Sequence, residues 1–429
     1  MTQDIALFNE TESQVRSYCR RFPTVFERAS GSLMHGADGS CFIDFLSCAG
    51  AVNYGHNPSS IKAALIDYLA GDGIQAALDL HTVAKRDFIA AFRELVLAPR
   101  KMNYRLQFTG PTGTSVVESA VKLARKVTSR KNVMAFTNGF HGMSGTSLGL
   151  TANAYHRQDV QDPYVTRVPY EGYLQKEFDS IAYLRKLFTD KSSGVDIPAA
   201  VVVETIQGEG GVNVASAEWL QALRALTSEH GILLIVDDIQ AGCGRTGSFF
   251  SFEFAGIVPD LVCLSKSLSG YGLPFSLLLI SPAHDQWRPA EDNGTFRGNT
   301  MAIVTATAAL VHFWRDDRLQ RDIGRRESLV RQTLFGLMGD FPEVIRAVRG
   351  RGLFYGVEFF DPLVAADVTA SCFQHRLIIE RCGAEGQVAK LLPALTIDDT
   401  LLVEGLMILS KAVSECALKV RANCDLSEG

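Results

Sequence analysis

Two carboxylates and an amine, each at the end of an apolar run, are the residues here best placed for chemistry. The segment 231–266 reads GILLIVDDIQAGCGRTGSFFSFEFAGIVPDLVCLSK. The run 232–236 ends on Asp237 and Asp238, and the run 261–264 ends on Ser265 and Lys266. Runs that are apolar throughout and too short for a helix suit parallel strands covered on both faces. Open α/β sheets bind ligands beyond the C-terminal ends of such strands. Two strands would thus bring an acid and a primary amine to one sheet edge. An amine that attacks a carbonyl, beside an acid that stays ionised, suits pyridoxal phosphate. Lys266 would hold the cofactor as a Schiff base, and Asp237 would pair with its ring nitrogen. The freed amine would then move a proton, which requires its pKa to be lowered by burial and cationic neighbours.

The elements that must position these groups follow in order. Residues 13–29, SQVRSYCRRFPTVFERA, predict a helix broken near Pro23. LMHGADGSCFIDFLS predicts a hairpin turning at Asp38-Gly39. Helical spacing marks 61–70 and 83–97. Strands are expected at 105–108, 132–136, 199–203 and 275–280. Between the first two strands, TGPTGTSVVESAVKLARKV runs from a turn into a helix with a buried apolar stripe. Glu118 and Lys122, four apart, would pair on its outer face. The step Gly113-Thr114 at that helix start could cradle an anion such as the cofactor phosphate, or serve as a simple N-cap. ETIQGEGGV places Glu204 and Glu209 around a glycine-rich turn, and Ser216 is a natural N-cap for 217–230. Segment 152–198 says little.

With 429 residues and 47% hydrophobic content, the chain exceeds what one core usually holds. Two domains are expected: 1–58 as the first part of a small domain, 59–325 as a large cofactor-binding domain, and 326–429 completing the small α+β domain. A net charge of −5 argues against a nucleic-acid partner. No apolar run approaches the roughly 20 residues that span a bilayer. The opening MTQDIALFNETES is polar and acidic, unlike a signal peptide. Nine scattered cysteines, without a C-x-x-C pair, suit reduced thiols in a cytoplasmic enzyme. No histidine stands at a metal-ligand spacing, so no metal is expected.

LLIVDDIQAGCGRTG and DLVCLSKSLSGYGLP resemble the cofactor region of the class III aminotransferases. That resemblance implies an α/β architecture of fold type I, with a mostly parallel central sheet in the large domain. The family more often has Asp-Glu where Asp237-Asp238 stands. Phe140-His141-Gly142 resembles the family's aromatic–His–Gly step, whose ring lies on the cofactor. By the same resemblance, Gln240 bonds the cofactor's phenolic oxygen. Thr295, in GTF, reaches the phosphate of a neighbouring subunit, which implies a homodimer with shared sites and leaves a tetramer open. AGAVNYGHNPSS resembles the loop that reaches the site, or is an ordinary connection.

The match extends through SYCRRFPTVF, LDLHTVAKRDF and LPALTI. It is closest to members that move the 4-amino group of L-2,4-diaminobutyrate to 2-oxoglutarate, giving L-aspartate 4-semialdehyde and L-glutamate. Such members feed ectoine, siderophore or peptide-antibiotic synthesis. In this family a glutamate and an arginine pair for one substrate and part for the other. The corresponding positions are Glu209 and Lys390, and lysine in place of arginine is a departure. The alternatives are another ω-amino transaminase (ornithine, 4-aminobutyrate, a polyamine), a pyridoxal phosphate mutase, epimerase or decarboxylase, and a non-catalytic binding protein.

Overall fold

The computed structural model describes residues 2–158, 162–175 and 178–427. Its strands, in chain order, are β1 (Phe26–Ser30), β2 (Leu33–Gly36), β3 (Cys41–Asp44), β4 (Arg105–Phe108), β5 (Val133–Phe136), β6 (Val165–Val168), β7 (Ala200–Val203), β8 (Ile206–Gln207), β9 (Asn213–Val214), β10 (Leu233–Asp237), β11 (Leu261–Leu264), β12 (Leu277–Ile280), β13 (Ile345–Arg351), β14 (Phe354–Phe359), β15 (Leu377–Ile378), β16 (Glu380–Cys382) and β17 (Val388–Leu391). Seven of them form the central sheet, in the order β4-β12-β11-β10-β7-β5-β6. Only β12 is antiparallel to its neighbours, so the other six share one direction. The loops after β4, β5, β7, β10 and β11 therefore emerge at one edge.

The apolar runs become the buried strands that two covered faces demand. Every residue of β5, β7, β10, β11 and β12 is buried. Alternate side chains serve opposite faces. Leu233 and Ile235 pack with Val116, Val117, Ala120 and Leu123 of the helix Gly113–Thr128, while Leu234 and Val236 join the core on the other side. Burying an aliphatic side chain of this kind is worth about 1.5–3 kcal/mol. The stripe, not surface charge, holds that helix to the sheet.

The expected Glu118–Lys122 pair does not form. Glu118 Oε1 accepts the Ser147 N–H at 2.7 Å, and Lys122 reaches Asp292 Oδ1 at 3.3 Å and the Glu291 carbonyl. An exposed i,i+4 pair is worth only about 0.2–0.5 kcal/mol, and tertiary partners outbid it.

Two smaller sheets complete the frame. β13-β14-β17-β16 is antiparallel, and β1-β2-β3-β15 joins the N-terminal hairpin to β15 by a parallel pairing with β3. The turn at Asp38-Gly39 is as expected, with Gly39 at φ +82. The helix expected over 13–29 is not there. One turn, Tyr18–Arg21, precedes Pro23, and the residues after it become β1, paired with β2. Proline ends the helix, and the hairpin beside it offers an edge to pair with. The segment 83–97 is helical, but its last part, Phe92–Leu97, is a π-helical stretch. Segment 152–198 supplies the edge strand β6 and the helix Ser180–Thr189. Among the described residues no helix is long and apolar enough to cross a membrane.

Candidate active site

Asp237 closes β10 and is buried at the sheet edge, in register with Cys263 of β11. Lys266 follows β11 three residues after Cys263. Its φ is +47, a left-handed conformation rare for a side-chain-bearing residue. Strain of this kind costs on the order of 1–3 kcal/mol and persists only where its surroundings fix it. They do so here. Ser265 Oγ donates to the Phe275 carbonyl at 2.8 Å. Ser267 Oγ donates to the Gly50 carbonyl at 2.7 Å and accepts the Asn53 N–H at 2.9 Å. Burial first, then Lys390, lowers the Lys266 ammonium, against the pull of Glu209, Glu380 and Asp237.

Beside Asp237 stands His141. Its Nδ1 lies 2.8 Å from Asp237 Oδ2, and its side chain is 1% exposed. Burial disfavours its charged form, yet the hydrogen bond and charge of Asp237, with Glu204, raise its pKa. Among the described residues its Nε2 is buried without a partner. Glu204, at the end of β7, accepts the Phe140 N–H at 2.9 Å and the Gly208 N–H at 3.3 Å. Burial raises its carboxyl and the Asp237 charge adds to that, against His141. Asp238 turns away into the core, where Ser251 donates to it through both N–H and Oγ, and burial lifts it to about 7.

The N-terminus of the helix Gly113–Thr128 sits beside this group. Its cap is Thr112, whose hydroxyl accepts the Ser115 N–H. The cap reading therefore belongs to Thr112, and the Gly113 and Thr114 amides lie in the first turn, where the helix offers them no acceptor. A Cβ on Gly113 would come within 3.2 Å of Ile239, two residues past Asp237. Thr114 Oγ1 accepts the Met143 N–H at 3.3 Å, and a Cβ on Gly142 would meet that hydroxyl at 2.7 Å. The loop after β5 and this helix start thus pack closely against each other.

On the other side, Lys390 Nζ lies 2.6 Å from Glu209 Oε1 and 3.1 Å from Glu380 Oε1. Gln240 Nε2 donates to Glu209 Oε1 at 3.2 Å and to the Ala49 carbonyl at 3.0 Å. Glu209 is held well below the usual carboxylate range by Lys390 and Lys266, against burial. The loop AGAVNYGHNPSS does reach this region. It starts in a left-handed turn, with Ser47, Cys48 and Ala49 at φ +47, +51 and +55. Buried Arg245 staples it: its Nη2 donates to Asn53 Oδ1 at 2.6 Å, and its Nη1 donates to the Leu353 carbonyl at 3.0 Å.

Two bonded groups, Asp237–His141 and Gln240–Glu209–Lys390, thus stand about Lys266, whose ammonium feels the charges of Asp237, Glu209 and Lys390. Phe140 is half-buried beside them and Gly113-Thr114 border them. Thr295 is exposed on a separate loop. Sequence reasoning gave no role to Glu380, Tyr18 or Glu204. Glu204 and Glu380 had a signal, since each ends an apolar run (AVVV and LII) as Asp237 does. Tyr18 had none.

An amine, a buried carboxylate and a helix start whose first-turn Gly113 and Thr114 amides lack helical acceptors match, in chemistry, an aldehyde, a ring nitrogen and a phosphate. The donor set therefore fits pyridoxal phosphate, and the fold is that of the fold type I pyridoxal phosphate enzymes. The model of the class III aminotransferases matches residues 16–413. A diaminobutyrate–2-oxoglutarate transaminase of Vibrio cholerae is 51% identical over 411 residues, covering 95% of this chain and all of that protein. One of Bordetella parapertussis is 50% identical over 415 residues, covering 96% of this chain and 95% of that one. Among solved structures, an ornithine aminotransferase of Toxoplasma gondii superposes with a TM-score of 0.84 at 24% identity, covering 97% and 95% of the two chains. This chain belongs to the class III aminotransferase family.

Proposed function

We propose that this chain moves the 4-amino group of L-2,4-diaminobutyrate to 2-oxoglutarate, giving L-aspartate 4-semialdehyde and L-glutamate, in either direction. The observation that carries the reading is relatedness of about half identity over 95–96% of the chain to transaminases of that name. The enzyme is pyridoxal phosphate-dependent, as its family is. Bound there, the cofactor supplies an electron sink that makes the amine-bearing carbon acidic.

Lys266 would hold the aldehyde carbon, Asp237 the ring nitrogen, and the Gly113 and Thr114 amides the phosphate. Phe140 would lie on the ring, and Gln240 would face the phenolic oxygen. His141 would fix Asp237 through the Nδ1 bond, so that the carboxylate keeps one orientation. Lys266 Nζ would take the proton from the substrate's amine-bearing carbon, a task suited to its lowered pKa. A panel of amino donors with 2-oxoglutarate tests the assignment by glutamate formed. Diaminobutyrate should exceed ornithine and 4-aminobutyrate by about 10-fold or more in kcat/KM, the size of one lost polar recognition contact. Equal turnover of the three would remove the proposal.

The pocket must also take glutamate, whose α-carboxylate sits beside the reacting amine. In our reading, Glu209 and Lys390 stay paired for diaminobutyrate and part for glutamate, leaving Lys390 to meet that carboxylate. Lysine does this with a point charge where arginine would offer a fork. Lys390→Ala should slow the glutamate half-reaction about 10–100-fold, the cost of a lost charged hydrogen bond, and the diaminobutyrate half-reaction much less. Single-turnover absorbance traces separate the two, and equal losses refute the gate.

We also propose a homodimer in which Thr295 of one copy completes the other's phosphate site. Phe296 is 70% exposed, and the loop packed beside it exposes Ile74, Leu78 and Leu80. An apolar patch of that kind is what a second copy covers. Sedimentation of a monomer at micromolar concentration would count against it.

A further inference from the structure

Lys390 is fully buried, and it has two carboxylates rather than one. The second, Glu380, stands directly across from it in the antiparallel pair β16–β17. Glu380 is itself 2% exposed, and its Oε2 accepts the Tyr18 hydroxyl at 3.1 Å. Its Oε1 lies 3.1 Å from Lys390 Nζ, a longer contact than the 2.6 Å that Lys390 makes to Glu209. Glu209, by contrast, has a 32% exposed side chain and faces the lysine from the open side.

Two carboxylates and one ammonium sum to one negative charge in excess. Buried charge of one sign attracts its complement, and an unmatched carboxylate at such a site is costly until a cation meets it. The sheet register keeps Glu380 in place, whereas Glu209 sits on a glycine-rich turn. Burial raises the Glu380 carboxyl and the Lys390 ammonium counters that rise. The cluster also acts on Lys266, whose ammonium feels Glu209, Lys390 and Glu380. The excess negative charge therefore lies beside the place where the donor reacts.

We propose that Glu380 is a specificity-determining residue: with Tyr18 behind it, it shares the charge of Lys390 from the closed side, so that Glu209, while still bonded to Lys390, keeps a negative charge in excess that a second ammonium on the amino donor can meet. It acts through Lys390 and Glu209 and is a positioning residue, not a catalytic one. The inference rests on the diaminobutyrate reading and deepens it. Diaminobutyrate and 4-aminobutyrate share a four-carbon chain, a terminal amine and a carboxylate. They differ only in the 2-amino group, which is the ammonium at issue.

The test is the ratio of kcat/KM for these two donors, with 2-oxoglutarate as acceptor, in the holoenzyme. Glu380→Gln keeps the shape and removes the charge. It should lower the diaminobutyrate to 4-aminobutyrate ratio about 10–100-fold, chiefly through the KM for diaminobutyrate, as loss of one charged contact implies. Tyr18→Phe should move the ratio the same way, by about 3-fold or more, since it removes one hydrogen bond to that carboxylate. Tyr18 lies at the surface, so this second variant stands as the test if the first does not fold. A merely structural role would lower both donors together, and that result, or an unmoved ratio, overturns the proposal. A wild type that prefers diaminobutyrate while both variants keep its ratio ends this inference alone. A wild type with no preference ends both this inference and the assigned function.

Discussion

Lys266→Ala abolishes transamination. The expected fall in kcat is about 10⁴-fold or more, the upper end of what one positioned acid–base group contributes. Three features make this the largest effect in the molecule. Lys266 is the primary amine that follows β11, at the edge where Asp237 closes the adjacent strand. Its backbone is held in a left-handed conformation by Ser265 and Ser267, so no neighbouring residue can take over its place. Its ammonium is lowered by burial, which frees a lone pair for attack on a carbonyl and for proton transfer. Lys390 cannot substitute, because two carboxylates keep its charge well above the ordinary lysine range against burial. Borohydride treatment of the cofactor-loaded wild type should label residue 266, and the variant should take no label there. Far-UV circular dichroism should be unchanged, since Lys266 belongs to neither apolar core face. Activity within about 10-fold of wild type, or a label on another lysine, would refute the assignment.

The sequence showed the sheet more plainly than the site. Strands β5, β7, β10, β11 and β12 were legible because each is apolar throughout, save the Asp237 that closes β10, the pattern of strands covered on both faces. The edge strand β6 carries Thr166 and Arg167 in its middle and gave no such signal. The N-terminal stretch read as helix because its charges and aromatics have helical spacing. Its fate as β1 was decided by a partner strand that local spacing cannot reveal. Asp237 and Lys266 were legible because charge at the end of an apolar strand has few other uses. Glu380 ends an equally apolar run, but its importance depends on lying opposite Lys390 in a cross-strand register. Tyr18 reaches it from 362 positions away. The resemblance to class III aminotransferases supplied Gln240, Glu209 and Lys390, which no spacing rule would have joined. A family pattern of one acid and one base could not supply the third member of that cluster.

Asp237→Asn should be the second most damaging change, with kcat down about 10²–10³-fold. The substitution keeps the side chain's volume and lets the amide oxygen still face His141 Nδ1, so the fold should survive. What it removes is the anion. In the wild type Asp237 Oδ2 meets His141, and Oδ1 accepts the Ile239 N–H at 3.2 Å, which fixes the carboxylate against the strand end. A protonated ring nitrogen placed there without that anion is an uncompensated buried charge. Removing one partner of a buried pair costs about 3–5 kcal/mol, and the lower part of that range, about 3–4 kcal/mol, sets the expected loss. The nitrogen would then release its proton, and the amine-bearing carbon would lose the withdrawal that makes it acidic. Two readouts separate this from general damage. Cofactor should dialyse away faster from the variant than from wild type. His141 should also lose the charge that raises its pKa, its hydrogen bond becoming one to a neutral amide oxygen, so its ring should titrate at lower pH by NMR. His141 gains protonation from Asp237 in the folded state, so the stabilisation from this pair is present at low pH and fades as pH rises through the raised value. The variant should therefore lose stability relative to wild type mainly on the acid side of that value. A variant that retains wild-type kcat and cofactor retention would exclude Asp237 as the ring's anion and reopen the choice to Glu204, the other buried acid beside His141.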